Sequence, residues 1–217
     1  MALRINDIAP DFTADSTEGE IRFHDWLGDS YAILFSHPRD FTPVCTTEFG
    51  AVAQLSPEFE ARNTKVLGIS VDSVEDHKKW KSDISQVAGT PANFAIIDDT
   101  SLTVAKAYDM LPADAYLPDG RTPADSATVR SVFIIGPDKK VRLMMTYPMS
   151  IGRNFAEILR ALDAVIKTDG VPIATPANWV PGQDVIVALS LDDKAAEEKY
   201  GPLDIRLPYL RFAKDPA

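Results

Sequence analysis

The chain has 217 residues, one cysteine, and a net charge of −10. That charge argues against nucleic acid or an anionic membrane surface as a general partner. No apolar run approaches membrane-spanning length, so no stable membrane association is expected. The hydrophobic fraction of 45% and charged fraction of 25% are those of an ordinary globular protein, long enough for one full core with an appended module.

Tyr31-Ala32-Ile33-Leu34-Phe35 is a nearly unbroken apolar run, which predicts a strand buried on both faces. Thr42-Pro43 then opens a helix, threonine as N-cap and proline at the first helical position. That helix continues through Phe49, Val52 and Ala53 and is expected to break or kink at Ser56-Pro57. Lys65 to Val71 reads as the next strand. Ser73 caps a helix with Trp80, Ile84 and Val87 on one stripe and Gly89 near its end. Phe94 to Ile97 is a further strand, followed by a helix carrying Leu102, Ala105 and Tyr108.

Residues 110 to 129 are rich in proline, aspartate and alanine and read as a long loop. Ser131–Ile135 and Val141–Tyr147 flank Gly136-Pro137-Asp138-Lys139 as a hairpin. Phe155, Ile158, Leu159, Leu162, Val165 and Ile166 trace an amphipathic helix, with Gly170 as its stop. Beyond Gly170 the composition shifts, and six of the sixteen prolines lie there. The domains expected are therefore 1–169 and a small module over 170–217. Strands alternating with helices and ending in a hairpin make an α/β fold with a mixed sheet.

Cys45 is the third residue of the helix that Thr42 caps. A thiol there faces unpaired backbone N–H groups and the positive end of the helix dipole, which favour the nucleophilic thiolate. With one cysteine and three scattered histidines (His24, His37, His77), no pair has the spacing of a structural metal site. The lone cysteine forms no intrachain disulfide, which suits a reducing compartment. A cytoplasmic location is expected, since the N-terminus shows no basic stretch leading into an apolar one.

Pro38, Thr42 and Cys45 reproduce a P-x-x-x-T-x-x-C pattern, and here the chain resembles the peroxiredoxins. The run from Ser36 to Glu48 is similar to their one-cysteine, peroxiredoxin-6-like branch. Further matches follow in order: Asp11-Phe12, Ser70 to His77, Arg130, Gly136 to Lys140, Tyr147-Pro148 and Gly152 to Phe155. The resemblance implies a thioredoxin-like fold with a mixed sheet flanked by helices, plus a small C-terminal module. It implies a thiol-dependent peroxidase acting on hydrogen peroxide and organic hydroperoxides. No prosthetic cofactor or metal is implied.

By that resemblance Cys45 is the nucleophile, and Thr42 hydrogen-bonds the thiolate and the peroxide. Arg130 stabilises the thiolate and the transition state, and Pro38 shields the site from bulk water. Glu48 orients Arg130, and Arg153 completes the charge network. His37 either approaches the sulfur or packs beneath the pocket. Attack leaves a sulfenic acid on Cys45. With no second cysteine in the chain, an external thiol must complete the cycle.

Two alternatives stand beside this reading. Relatives in the branch are reported to hydrolyse phospholipid esters, and the matching positions are Ser30, His24 and Asp138. However, Gly28-Asp29-Ser30-Tyr31-Ala32 lacks the last glycine of G-x-S-x-G, and Ser30 precedes a strand instead of following one. The other is an oligomeric holdase chaperone. The resemblance also implies a homodimer or an assembly of dimers. In that assembly Val185, Ile186, Val187, Leu189, Leu207, Tyr209, Leu210 and Phe212 of the tail would seek a surface to cover.

Overall fold

The computed structural model of the chain describes residues 3–115 and 126–216. The chain divides into two compact units, Met1–Phe155 and Ala156–Ala217. The break in composition lies later, at Gly170, because the last long helix is contiguous in sequence with the first unit but belongs by its contacts to the second.

The first unit begins with a small antiparallel pair, β1 (Thr13–Ala14) and β2 (Ile21–Arg22), and the short helix α1 (Phe23–Leu27). Then come β3 (Tyr31–Ser36), α2 (Pro43–Ala61), β4 (Thr64–Ser70), α3 (Val74–Ala88), β5 (Ala95–Asp98) and α4 (Thr103–Ala107). A single 3-10 turn at Ala113–Ala115 lies within the expected loop, of which residues 116–125 fall outside the described residues. The hairpin β6 (Arg130–Ile135) and β7 (Val141–Tyr147) completes the sheet. Its order is β5-β4-β3-β6-β7, with β3, β4 and β5 parallel and β6 and β7 antiparallel. This is the mixed sheet that the order of elements predicts.

Alternation along each strand divides the side chains between two faces. Ala32, Leu34, Leu67, Ile69, Ala95, Ile97, Phe133 and Ile135 pack with Phe23, Leu27, Val104 and Tyr108 on one of them. On the other, Phe35 meets Phe49 of α2 with ring centroids 4.8 Å apart, and Phe49 meets Trp80 of α3 at 4.8 Å. Thr42 stands at the N-cap position of α2, in extended backbone, but its side chain makes no capping bond. The Ser73 side chain, at the start of α3, accepts from the Asp76 amide.

Two expectations need correcting. α2 does not break at Ser56-Pro57 but runs on to Ala61 with Pro57 inside it. Phe59, in the last turn of the helix, is buried in the core, and that packing holds the turn despite the missing N–H of proline. On α3 the buried stripe is His77, Trp80 and Ile84, while Val87 is 58% exposed.

The second unit holds α5 (Phe155–Thr168) from Ala156 onward, β8 (Ile173–Ala174), β9 (Val185–Val187), α6 (Asp193–Tyr200), β10 (Asp204–Leu207) and β11 (Leu210–Ala213). Its four strands form an antiparallel sheet in the order β10-β11-β9-β8. Ile173, Trp179, Val185, Val187, Ala196 and Ala213 make a small core of its own. Val185 and Val187 are thus covered within the unit, whereas Leu189, Leu207 and Tyr209 stay exposed.

One glycine sets how closely α2 approaches the sheet. A Cβ on Gly68 of β4 would sit 2.9 Å from Cε1 of Phe49, a buried ring one helical turn beyond Cys45. Gly68→Ala should therefore lower the unfolding free energy by about 1–3 kcal/mol through overpacking. Denaturant unfolding checks this, and an unshifted midpoint with unchanged slope would show that Phe49 moves aside freely.

Candidate active site

The site is built where β3 runs out. Ser36 ends the strand, residues 37–42 turn, and Pro43 opens α2. The first helical bond runs from the Thr46 amide to the Thr42 carbonyl at 3.0 Å. The N–H groups of Val44 and Cys45 lie ahead of that bond, so the dipole's positive end is at the cysteine. Cys45 itself is fully buried.

Arg130, the first residue of β6, reaches the sulfur. Its Nη1 donates to Cys45 Sγ at 3.3 Å and to Glu48 Oε2 at 2.7 Å. Its Nε and Nη2 both donate to the carbonyl of Met149, at 2.9 and 2.6 Å. The far side of the guanidinium is thereby fixed on backbone, and Nη1 is left for the reacting side.

Glu48 lies one helical turn after Cys45, on the same face of α2. Its Oε1 accepts from the amide and the Nε of Arg153, at 2.8 and 2.9 Å. Its Oε2 accepts from Arg130 Nη1 and Arg153 Nη2, both at 2.7 Å. Arg153 Nη1 donates to the carbonyls of Ser36 and Ser131, at 2.8 and 3.1 Å. The Arg153 guanidinium also lies over the rings of Phe35 and Phe155, 5.1 and 5.5 Å from their centroids.

Two guanidinium groups and one carboxylate leave one positive charge in excess, all of it buried. Water cannot screen that excess, and the sulfur is the atom on which an Arg130 N–H is aimed. An anion at Sγ balances the cluster. Burial pushes the Glu48 carboxyl up, but the hydrogen bonds and charge of Arg153, joined by the charge of Arg130, outweigh it and hold the group below the ordinary carboxylate range.

The structure thus brings Cys45, Arg130, Glu48 and Arg153 together. Pro38 is buried in the turn. Thr42 differs from its expected role: its hydroxyl donates to the Arg39 carbonyl at 2.9 Å, so its single proton is not on the sulfur. The oxygen keeps its lone pairs. His37 packs between Phe49 and Trp80, with centroids 4.5 and 5.0 Å away, and its Nε2 bonds Asp40 Oδ1 at 2.7 Å.

His77 Nδ1 bonds the other oxygen of Asp40 at 2.6 Å. Sequence spacing gave no sign of this cluster, because 36 residues separate Asp40 from His77. The Met149 carbonyl was missed for a different reason: a backbone acceptor has no sequence signal.

The residues of the esterase alternative are engaged apart from one another. Ser30 Oγ donates to Asn63 Oδ1 at 3.1 Å, His24 Nε2 bonds the Ala9 carbonyl at 2.8 Å, and Asp138 pairs with Arg142 at 3.0 Å. Among the described residues no hydrogen bond joins any two of the three.

Comparison with known proteins agrees with this geometry. The pattern of the AhpC/TSA family matches residues 5–144, and that of the C-terminal domain of 1-Cys peroxiredoxin matches residues 168–201. The chain is 50% identical over 215 residues to the mitochondrial peroxiredoxin PRX1 of Saccharomyces cerevisiae, covering 98% of this chain and 81% of that protein. It is similar to the crystal structure of a mutant peroxiredoxin 6 from Arenicola marina, at 41% identity and a TM-score of 0.91 over 99% of both chains. It also resembles the structure of a yeast mitochondrial 1-Cys peroxiredoxin, described in terms of thiol resolution via glutathione/thioredoxin systems. That match has 49% identity and a TM-score of 0.87, covering 98% of this chain and 99% of that one.

The shared carboxylate yields a stability prediction. A carboxyl held below its ordinary value of 4.5 contributes stability that is complete above that value and is lost as pH falls through the folded one. Glu48→Gln should lower the unfolding free energy at neutral pH by about 3–5 kcal/mol, by leaving two buried cations without their anion. The deficit relative to wild type should narrow on acidification below 4.5. Denaturant titrations across pH measure it, and equal stability at neutral pH would contradict the assignment.

Proposed function

The chain belongs to the AhpC/TSA family, in its one-cysteine peroxiredoxin branch, and from that premise we propose how the residues around Cys45 share the work. The protein is a thiol-dependent peroxidase. The Cys45 thiolate attacks one oxygen of the peroxide and forms an S–O bond. The O–O bond breaks, and hydroxide or alkoxide leaves and takes a proton. The cysteine becomes a sulfenic acid. One external thiol condenses with it to a mixed disulfide and releases water, and a second thiol displaces the cysteine.

In our reading Arg130 is the electrostatic partner of the reaction. Its Nη1, 3.3 Å from the sulfur, is the observation that carries this proposal. It donates to the thiolate first and to the departing oxygen as charge moves onto it. Glu48 and the Met149 carbonyl hold its orientation, and Arg153 supplies the second cation. Thr42 accepts the peroxide's O–H through its free lone pairs, and turns its own proton to the substrate only by releasing Arg39. Pro38 walls the pocket. His37 serves from beneath, as a packed imidazole held by Asp40.

The reductant is proposed to be a small or protein thiol of the glutathione/thioredoxin kind, by analogy with the yeast neighbour. A reducing compartment is inferred from the lone cysteine, the cytoplasm being the reading kept here, although the yeast relative is mitochondrial. A homodimer is inferred from the second unit, whose outer strand β10 is exposed along its whole length and shows Ile205 and Leu207 to solvent. Sedimentation of the full chain beside an Ile205→Glu, Leu207→Glu variant tests the last point. A shift to monomer is expected, and an unchanged assembly would remove β10 from the interface.

Cys45→Ser should abolish peroxide consumption. Excess peroxide should drive the wild type to sulfinic and sulfonic acid, because its sulfenic acid has no resolving cysteine within the chain. Mass spectrometry of the Cys45 peptide should show gains of two and three oxygens. A stable interchain disulfide as the main product would contradict the scheme.

A further inference from the structure

Recycling sets a steric problem. The sulfur is fully buried, yet an external thiol larger than hydrogen peroxide has to reach it. Some part of the wall must open between the two half-reactions, and what fastens that wall then helps set the rate of the second.

The part of that wall nearest the cysteine in the chain is the turn from Pro38 to Thr42, which leads directly into the first turn of α2. It is held by three contacts at Asp40 and by one at His37, the residue just before it. Asp40 Oδ1 accepts from His37 Nε2 at 2.7 Å, and Oδ2 accepts from His77 Nδ1 at 2.6 Å. The Asp40 amide donates to Asp72 Oδ2 at 2.9 Å, and the His37 amide to the Ile69 carbonyl at 3.0 Å. His77 belongs to α3, and Asp72 lies just after β4. The turn is therefore tied to a helix and a strand edge that contribute nothing to the sulfur's own charge cluster.

Both imidazoles are engaged by Asp40. Both ring nitrogens of His77 face acceptors, Asp40 Oδ2 and, at 3.1 Å, the Ile97 carbonyl. The contact with the Asp40 carboxylate is the shorter of the two, so His77 ties the turn to α3 through Nδ1. His37 donates through Nε2, and its Nδ1 is buried without a partner, so His37 is neutral. The three groups also form the one cluster of metal-ligating type among the described residues. However, an ion bound tetrahedrally at about 2.05 Å would hold its ligand atoms about 3.3 Å apart. The observed 2.6 and 2.7 Å are direct hydrogen bonds.

The same turn carries strain. Phe41, next to Asp40, has φ of 54°, a left-handed conformation that a bulky residue adopts only when its surroundings impose it. A strained turn fastened at one buried carboxylate stays closed while that carboxylate keeps its partners and springs when they are lost.

We propose that Asp40 and His77 are positioning residues of the peroxidase: one carboxylate shared by two buried imidazoles pins the Pro38–Thr42 turn, and release of that pin governs access of the external thiol to Cys45. The proposal rests on the peroxidase reading above.

A proton sensitivity follows. Burial pushes the His37 imidazole below its ordinary value of 6.5, the Asp40 contacts offsetting this in part. A base lowered in the closed state gives stability that is present above 6.5 and lost as pH falls through it. Burial pushes the Asp40 carboxyl up, but its bonds to the two imidazoles outweigh it and hold the group below 3.8, so Asp40 stays ionised throughout that window. The groups facing His37 are Asp40, His77 and, more weakly, Asp72. Acidification from neutral should therefore loosen the turn.

The test compares wild type with Asp40→Asn and His77→Gln, full chains whose folding is checked by circular dichroism. At fixed pH, alkylation of Cys45 by iodoacetamide and reduction of its sulfenic acid by a small thiol should both rise about tenfold, as the loss of one charge-assisted hydrogen bond predicts. Single-turnover oxidation of Cys45 by hydrogen peroxide should fall, because the turn no longer holds its geometry. Opposite movement of the two half-reactions is the signature, since simple destabilisation would slow both. Half-reactions that stay unchanged or slow together overturn the proposal.

Should neither variant fold, hydrogen exchange in the wild type decides. Protection of the Asp40 and Thr46 amides, corrected for intrinsic rates, should fall between pH 7.5 and 5.5, a range of about one unit on either side of the imidazole's ordinary value. Constant protection overturns the proposal. A wild type that consumes no peroxide would instead count against the peroxidase reading, and alkylation and exchange would still report on the turn.

Discussion

Glu48 is the group on which the site depends. One buried carboxylate accepts four hydrogen bonds from two arginines that come from opposite ends of the β6–β7 hairpin region. Without it, two cations would face each other in a region closed to water, which no fold of ordinary stability could support. With it, both are held, and one unit of positive charge remains for the sulfur. The peroxidase site is in this sense a charge imbalance that the fold confines and Cys45 resolves.

That confinement relies on an aromatic floor. Phe35, Phe49, Phe94, Trp80 and Phe155 stack and tilt against one another beneath the cluster. Phe35 and Phe155 give the guanidinium of Arg153 two ring faces. Phe49 is also the residue that approaches Gly68, so the depth of α2 on the sheet and the position of Cys45 and Glu48 are set by one contact. Catalytic geometry and core packing share these residues.

Much of this was legible in the chain. Five sheet strands, the Thr42-Pro43 helix start and Cys45 at its third residue follow from apolar runs and capping chemistry, which act within a few residues. Arg130 and Arg153 came from the resemblance alone. Spacing cannot say that two arginines 23 positions apart meet on one carboxylate. The same limit hid Asp40 and His77, whose pairing depends on how α3 lies against the turn. Ser56-Pro57 misled because local helix-breaking was outweighed by burial of Phe59. Two-residue strands such as β1, β2 and β8 are too short to show a period. Thr42 does stand at the helix start, but its side chain caps nothing and its proton goes to a backbone carbonyl that no sequence pattern marks.

The central claim is that Arg130, held by Glu48 and Met149, supplies the charge that drives attack by Cys45. The most direct measurement is the single-turnover rate of Cys45 oxidation by hydrogen peroxide in Arg130→Gln, with thiol content and fold verified beforehand. The account predicts a loss on the order of 10²–10³ relative to wild type, the scale seen when a preorganised donor is removed from a developing negative charge. A rate equal to that of wild type would contradict it and return the arginine to a structural role.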